Sequence, residues 1–216
     1  MDELTVSVTR GRATSKEAAS PVAGVLLAAG MSRRMGRNKL LLPWGGTTVL
    51  REVASTALSA GLDPLLVVLG HERRRVEAAL AGLPHLSVGN PDYACGINTS
   101  LRAGFRAVPD RCGAAVVLLG DMPFVTASMV RELVRRFREE AAPLVLSTYG
   151  EVLAPPTLYG RGLFPELRAL AGDGCGKQVM KRHRSRAVEV AWPAASLSDL
   201  DEPSDLSRAR ARMERS

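Results

Sequence analysis

Val25-Leu-Leu-Ala-Ala-Gly-Met-Ser-Arg-Arg-Met-Gly-Arg-Asn-Lys39 is the stretch on which the reading of this chain turns. An apolar run suited to a buried parallel strand ends in small residues, and the turn that follows carries Gly30, Ser32, Gly36 and several cations. Gly30 and Gly36 allow backbone N–H groups to approach an anion, while Arg34 and Lys39 supply the charge that glycine lacks. A strand opening into such a turn predicts a polyphosphate site. The spacing is not that of a Walker A loop, because five residues separate Gly30 from Gly36 and Lys39 does not directly follow a glycine. Gly-x-Gly-x-x-Gly is absent from the stretch as well.

Working outward, 216 residues suffice for one substantial core, and 46% hydrophobic content with only 4% aromatics favours an aliphatic protein of alternating strands and helices. A net charge of +7 suits an anionic small substrate better than nucleic acid. The arginine-rich runs at 73–75, 135–138 and 208–215 fall on predicted helices and read as solvated faces. Three widely spaced cysteines, Cys95, Cys112 and Cys175, fit neither a disulfide framework nor a zinc site and point to a reducing compartment. Residues 1–20 read as a disordered leader with no secretory signal, and 21–216 as a single domain. With no run long enough to span a bilayer, a cytoplasmic protein without membrane contact is expected.

Along the chain, a helix is predicted over Val49 to Ala60, with a threonine near its N-cap and Gly61 beyond its end. Leu65 to Leu69 reads as a strand, Glu72 to Ala81 as a helix and Leu86 to Val88 as a short strand. In Asn90-Pro-Asp-Tyr-Ala-Cys-Gly-Ile-Asn-Thr-Ser-Leu101, Asn-Pro marks a turn and Asn98 is expected to cap a helix over Thr99 to Ala107. Ala114 to Leu119 is the next strand, followed by Gly120-Asp121-Met122-Pro123 and a helix bearing Met129, Leu133, Val134 and Phe137. Leu144 to Tyr149 is again strand-like. Ligands of open parallel sheets sit outside the carboxyl ends of the strands, so Asp121 should face the Gly30 to Lys39 loop. A carboxylate facing a triphosphate calls for a hard cation, which makes Asp121 the leading Mg2+ ligand. His71, His85 and His183 read as solvated, and Cys95 as a small filler.

Leu27 through Lys39 resembles Leu-Ala-Ala-Gly-x-Ser-x-Arg-Met-Gly-x-x-Lys, the signature of the molybdenum cofactor cytidylyltransferases and related nucleotidyltransferases. The second signature is similar to Gly120 to Pro123, and Asn90 to Ser100 resembles the family's Asn-Pro-x-Tyr-x-x-Gly-x-x-x-Ser segment. The resemblance implies a three-layer αβα sandwich with a mostly parallel, Rossmann-like sheet. It implies nucleotide binding by Leu27, Ala28, Ala29, Gly30, Ser32, Arg33, Arg34, Gly36, Lys39, Gly96 and Ser100, with Arg34, Lys39 and Asp121 catalytic. Asp201, in Asp199-Leu-Asp-Glu-Pro-Ser-Asp-Leu206, is either a second metal ligand, with Asp199 in reserve, or merely the start of a last helix. The wording Ala28-Ala-Gly30 resembles members that use CTP, and a molybdopterin-type acceptor follows from the same likeness. In the acceptor half, Pro155 stands where relatives carry His, and Lys177 where they carry Arg. Transfer to a sugar or alditol phosphate, and non-catalytic carriage of a cofactor to an apoenzyme, are the competing readings.

Overall fold

Ten strands and six α-helices are described here in a computed structural model covering residues 19–197. Residues 1–18 of the expected leader, Asp199, Asp201 and the arginine-rich run at 208–215 lie outside them. In chain order the elements are β1 (Val22–Ala28), β2 (Pro43–Trp44), β3 (Thr47–Thr48), α1 (Val49–Ser59), β4 (Leu65–Leu69), α2 (Arg73–Ala78), β5 (Leu86–Gly89) and α3 (Ile97–Ala107). Then follow β6 (Ala114–Leu119), α4 (Ala127–Glu140), β7 (Leu144–Tyr149), β8 (Val152–Leu153), β9 (Thr157–Gly160), α5 (Phe164–Arg168), α6 (Lys177–His183) and β10 (Ala187–Trp192).

The main sheet runs β10-β7-β9-β6-β1-β4-β5, with β8 paired to the end of β7. β6, β1, β4 and β5 are mutually parallel, whereas β9 lies antiparallel between β6 and β7. β1 is buried along its whole length and sends alternate side chains to opposite faces. Leu26 and Ala28 join Leu50, Val53, Val130 and Leu133 from α1 and α4 on one face. Val25 and Leu27 join Leu101, Phe105, Phe164 and Val179 from α3, α5 and α6 on the other. The three-layer αβα sandwich expected from the signature is therefore the observed architecture. Phe105 is fully buried, edge-on to Tyr159 at 5.7 Å and tilted against Phe164 at 5.2 Å, and truncating such a ring costs about 3–5 kcal/mol.

The predicted strands Leu65–Leu69, Ala114–Leu119 and Leu144–Tyr149 form with those bounds. Thr48 caps α1 as expected, its Oγ1 accepting from Arg51 N at 3.3 Å, and Gly61 ends the turn with φ +83°. Ahead of it, Gly45-Gly46 reverses the β2–β3 hairpin, which seats Trp44 edge-on to Phe124 at 5.4 Å. The helix expected from Glu72 is shorter and starts at Arg73, because Glu72 itself has φ +49°. Asn98 does not cap α3. The chain already turns at Gly96 (φ +105°), so the helix starts at Ile97 and Asn98 falls inside its first turn.

Candidate active site

The loop after β1 is shaped by its own polar groups. Ser32 adopts a left-handed conformation, φ +49°, ahead of the single 3-10 turn Arg33–Met35, which closes with Met35 N donating to Ser32 O at 3.0 Å. Gly36 then reverses the chain at φ +64°, where a side chain would be strained. Lys39 N donates to Ser32 Oγ at 3.1 Å, and Asn38 Oδ1 accepts from Leu40 N at 3.1 Å. The loop is thereby folded back so that Arg34 and Lys39 both border one cleft.

That cleft, about 410 Å³, lies at the carboxyl ends of β1 and β6. Leu27 pairs with Leu119 across the two strands, and Gly120 N donates to Leu27 O at 3.0 Å, so Asp121 emerges directly opposite the loop. A side chain at Gly120 would be crowded, since a Cβ would sit 3.0 Å from Leu50 Cδ1 and 3.1 Å from the Leu27 carbonyl. The Asp121 carboxylate forms a close ion pair with Lys39 Nζ, the two side chains being only 14% and 16% exposed. A single shielded carboxylate facing this glycine- and cation-rich loop could hold a hard cation such as Mg2+, which takes one or two carboxylates and completes its shell with other oxygens. Among the described residues, no group of three or more His, Cys, Asp or Glu side chains converges as a protein-only cage.

The opposite wall comes from Tyr93, Ala94, Gly96, Ile97 and Ser100. Asn90 organises it: Nδ2 donates to Thr99 Oγ1 and Ser100 Oγ, both at 2.9 Å, and Oδ1 accepts from Asp92 N at 3.0 Å. Thr99 Oγ1 in turn lies 2.8 Å from the Gly96 carbonyl. Ser100 is thus held as an acceptor, and its O–H hydrogen can be aimed at a ligand.

Of the residues expected to bind nucleotide, Leu27, Ala29, Gly30, Ser32, Arg34, Lys39, Gly96 and Ser100 line this cleft together with Asp121. Ala28 turns its side chain into the core on the other face, as strand alternation requires. Gly36 borders a neighbouring hollow with Arg37, His71 and Glu72, and Arg33 contributes backbone to the 3-10 turn. Tyr93, Ile97, Met31 and Leu119 also line the cleft, although sequence reasoning did not single them out. The apolar ends of β1 and β6 and the ring in Asn-Pro-x-Tyr were the available signals. Cys95 is exposed rather than a filler. His183 is not solvated: its side chain is 14% exposed and Nε2 lies 2.7 Å from Glu166 Oε1.

Residues 24–188 match the MobA-like NTP transferase domain. The chain belongs to that family. As a MobA-like domain it is a nucleotidyltransferase by descent, and its relatives carry varied names. It is 32% identical over 201 residues to the purine catabolism protein PucB of Bacillus subtilis (strain 168), covering 88% of this chain and 96% of PucB. It is 29% identical over 177 residues to the nicotine blue oxidoreductase of Paenarthrobacter nicotinovorans, covering 78% and 85%. Among solved structures, Rv0371c of Mycobacterium tuberculosis H37Rv superposes with a TM-score of 0.78 at 31% identity, over 88% of this chain and 98% of that one. Rv0371c has also been solved with manganese. No helix among the described residues of this MobA-like domain is long and apolar enough to cross a membrane.

Proposed function

We propose that this protein transfers CMP from CTP to the terminal phosphate of a molybdopterin-type acceptor, releasing pyrophosphate, in a reducing cytoplasm. The observation that carries the reading is the meeting of three sequence-distant signatures, Leu27–Lys39, Asp121 and Gly96–Ser100, in one cleft. The Ala28-Ala29-Gly30 wording supports CTP by resemblance. An acceptor phosphate oxygen attacks the α-phosphorus, a new P–O bond forms, and the bond to the β-phosphate breaks with pyrophosphate as leaving group. No side-chain nucleophile is required, so the protein's work is positioning and charge neutralisation. Arg34 and Lys39 stabilise the charge that moves onto pyrophosphate, and Ser100 with the Gly96 backbone orients the nucleoside. Asp121, with Asp201 as the proposed second ligand, would hold Mg2+, which when bound would supply further neutralisation of the phosphate oxygens.

The test is pyrophosphate release by purified protein with Mg2+ and molybdopterin, comparing CTP, GTP, ATP and UTP. Preference for CTP by tenfold or more is the expected result. Equal use of GTP would overturn the base assignment, and no release with any nucleotide would overturn the acceptor. A second reading, transfer to a sugar or alditol phosphate, is favoured by Pro155 and Lys177, which replace His and Arg in the acceptor half. Exchanging the acceptor in the same assay separates the two, while cofactor carriage to an apoenzyme predicts binding without pyrophosphate release.

A further inference from the structure

We infer that the hollow beside the Gly30–Lys39 loop is a second anion site, in which the phosphate group of a small molecule displaces the Glu72 carboxylate from Arg75 and is held by Arg37 as well. The hollow, about 590 Å³, opens where the Gly36–Pro43 stretch faces the turn between β4 and α2. Arg37, Asn38, His71, Glu72 and Arg75 line it, and none of these five lines the cleft that holds Asp121. Met31 and Ser32 line both cavities and form their common wall.

Donors outnumber acceptors in this hollow. Arg37 is exposed, and its guanidinium makes no hydrogen bond or ion pair among the described residues, so its fork of N–H groups is open to an anion. Ser32 Oγ accepts from Lys39 N at 3.1 Å, which leaves the hydroxyl hydrogen to donate. Asn38 is 8% exposed; its Oδ1 accepts from Leu40 N, and its buried Nδ2 has no hydrogen-bond partner among the described residues. A buried donor left so costs about 1–3 kcal/mol, a penalty that an acceptor oxygen removes. The acceptor at hand is Glu72, which pairs closely with Arg75. Arg75 foremost, with Asn38 assisting, holds the Glu72 carboxyl below its ordinary value. Yet Glu72 sits at φ +49°, a region that residues with a β-carbon resist. Its carboxylate therefore stands in for an external anion from a strained backbone, and a phosphate, with more oxygens and more charge, competes for the same donors. A cation would meet two guanidinium groups against one carboxylate and be repelled. Leu41 and Leu42 add apolar surface for the body of a small molecule.

The experiment is calorimetric titration of the full chain with inorganic phosphate at constant ionic strength, wild type against Glu72→Gln and Arg37→Met. Glu72→Gln removes the competing charge and keeps the side chain's shape, so phosphate is expected to bind about tenfold more tightly than to wild type. Arg37→Met removes the unpaired guanidinium and is expected to weaken binding about tenfold. Unchanged affinity in Arg37→Met would put the phosphate elsewhere, in the cleft for example, and overturn the inference. Weaker binding by Glu72→Gln, or no binding to it at about 10 mM phosphate, would overturn it equally. The same titration of wild type and Glu72→Gln followed by NMR locates the ion without relying on Arg37→Met. The Asn38 side-chain amide and the Arg37 and Arg75 guanidinium signals should move with phosphate; shifts confined to Gly30, Ser100 and Asp121 would refute a second site.

Discussion

Removing either half of the Lys39–Asp121 pair should damage stability and turnover, but removing both should restore only stability. The side chains are 16% and 14% exposed, so each charge is largely withdrawn from water. At an effective dielectric of about 20, two unit charges about 4 Å apart attract by roughly 4 kcal/mol, most of which offsets desolvation. What a single substitution exposes is the desolvation of the charge left behind. Asp121→Asn or Lys39→Met alone is expected to cost about 2–3 kcal/mol, since breaking a shielded pair removes attraction that offsets the desolvation of the charge left behind. In a domain of this size that lowers the melting temperature by roughly 4–12 °C. The double variant leaves neither charge and should return to within about 1 kcal/mol of wild type, a coupling of about 3 kcal/mol or more. Turnover is expected to behave differently, because on the proposed reading Lys39 acts on charge that develops in the transition state and Asp121 would hold the metal. All three variants are expected to lose about a hundredfold or more in pyrophosphate release. Urea unfolding and the release assay read the two outcomes. Additive stability losses in the double variant would refute the pairing, and retained turnover would refute the catalytic roles.

Gly104→Ala places a methyl 2.5 Å from Val25 Cγ1 and 3.2 Å from Val68 Cγ2, so α3 must lift from the sheet at a cost of about 2–3 kcal/mol in urea unfolding. A cost near zero would contradict that packing. Gly70→Ala puts a methyl 2.6 Å from Tyr93 Cβ and 2.9 Å from Ala29 Cβ, which both line the cleft. Nucleotide affinity measured calorimetrically should weaken about fivefold to tenfold, roughly 1 kcal/mol, and unchanged affinity would remove Tyr93 from the nucleotide wall. Burial works to raise the Glu166 carboxyl, but the hydrogen bond and charge of His183, joined by Arg182, outweigh it and hold it below the ordinary 4.5. A depressed carboxyl stabilises the fold above its ordinary value and loses that contribution as pH falls through the folded one. Glu166→Gln should therefore cost up to about 1 kcal/mol at neutral pH and progressively less in acid, and a penalty that grows on acidification would reverse the sign.

The loop side of the cleft was legible because its signals are local. A glycine that must take φ +64°, a cation and a strand end lie within a few residues of one another, and Asp121 follows its strand by two positions. Thr48 announced the start of α1 for the same reason. Asn98 misled because a polar residue before a helix ordinarily caps it, yet Gly96 had already turned the chain, and the true partners of Asn98 lie 73 to 78 residues away. His183 likewise finds Glu166 at a separation of 17, which no spacing rule exposes. Strand β9 escaped notice because four residues after two prolines carry too little periodicity. Strand β10 did alternate, with Glu189 exposed between Val188 and Val190, and that signal was available.

The reversed strand β9 has a consequence for how such a protein can change. It occupies the free edge of β6 from residue 114 to 117, and β7 pairs with it at only two positions, Leu144 and Val145. Substitutions at exposed positions of β10 and of the chain between β7 and β9, such as Glu189, Ala191, Glu151 and Val152, therefore lie away from the six-residue register of β6 with β1. On the proposed reading, a lineage can trade one acceptor for another on that side while inheriting the Gly30–Lys39 loop unaltered, so kinship at that loop is a poor witness to what receives the nucleotide.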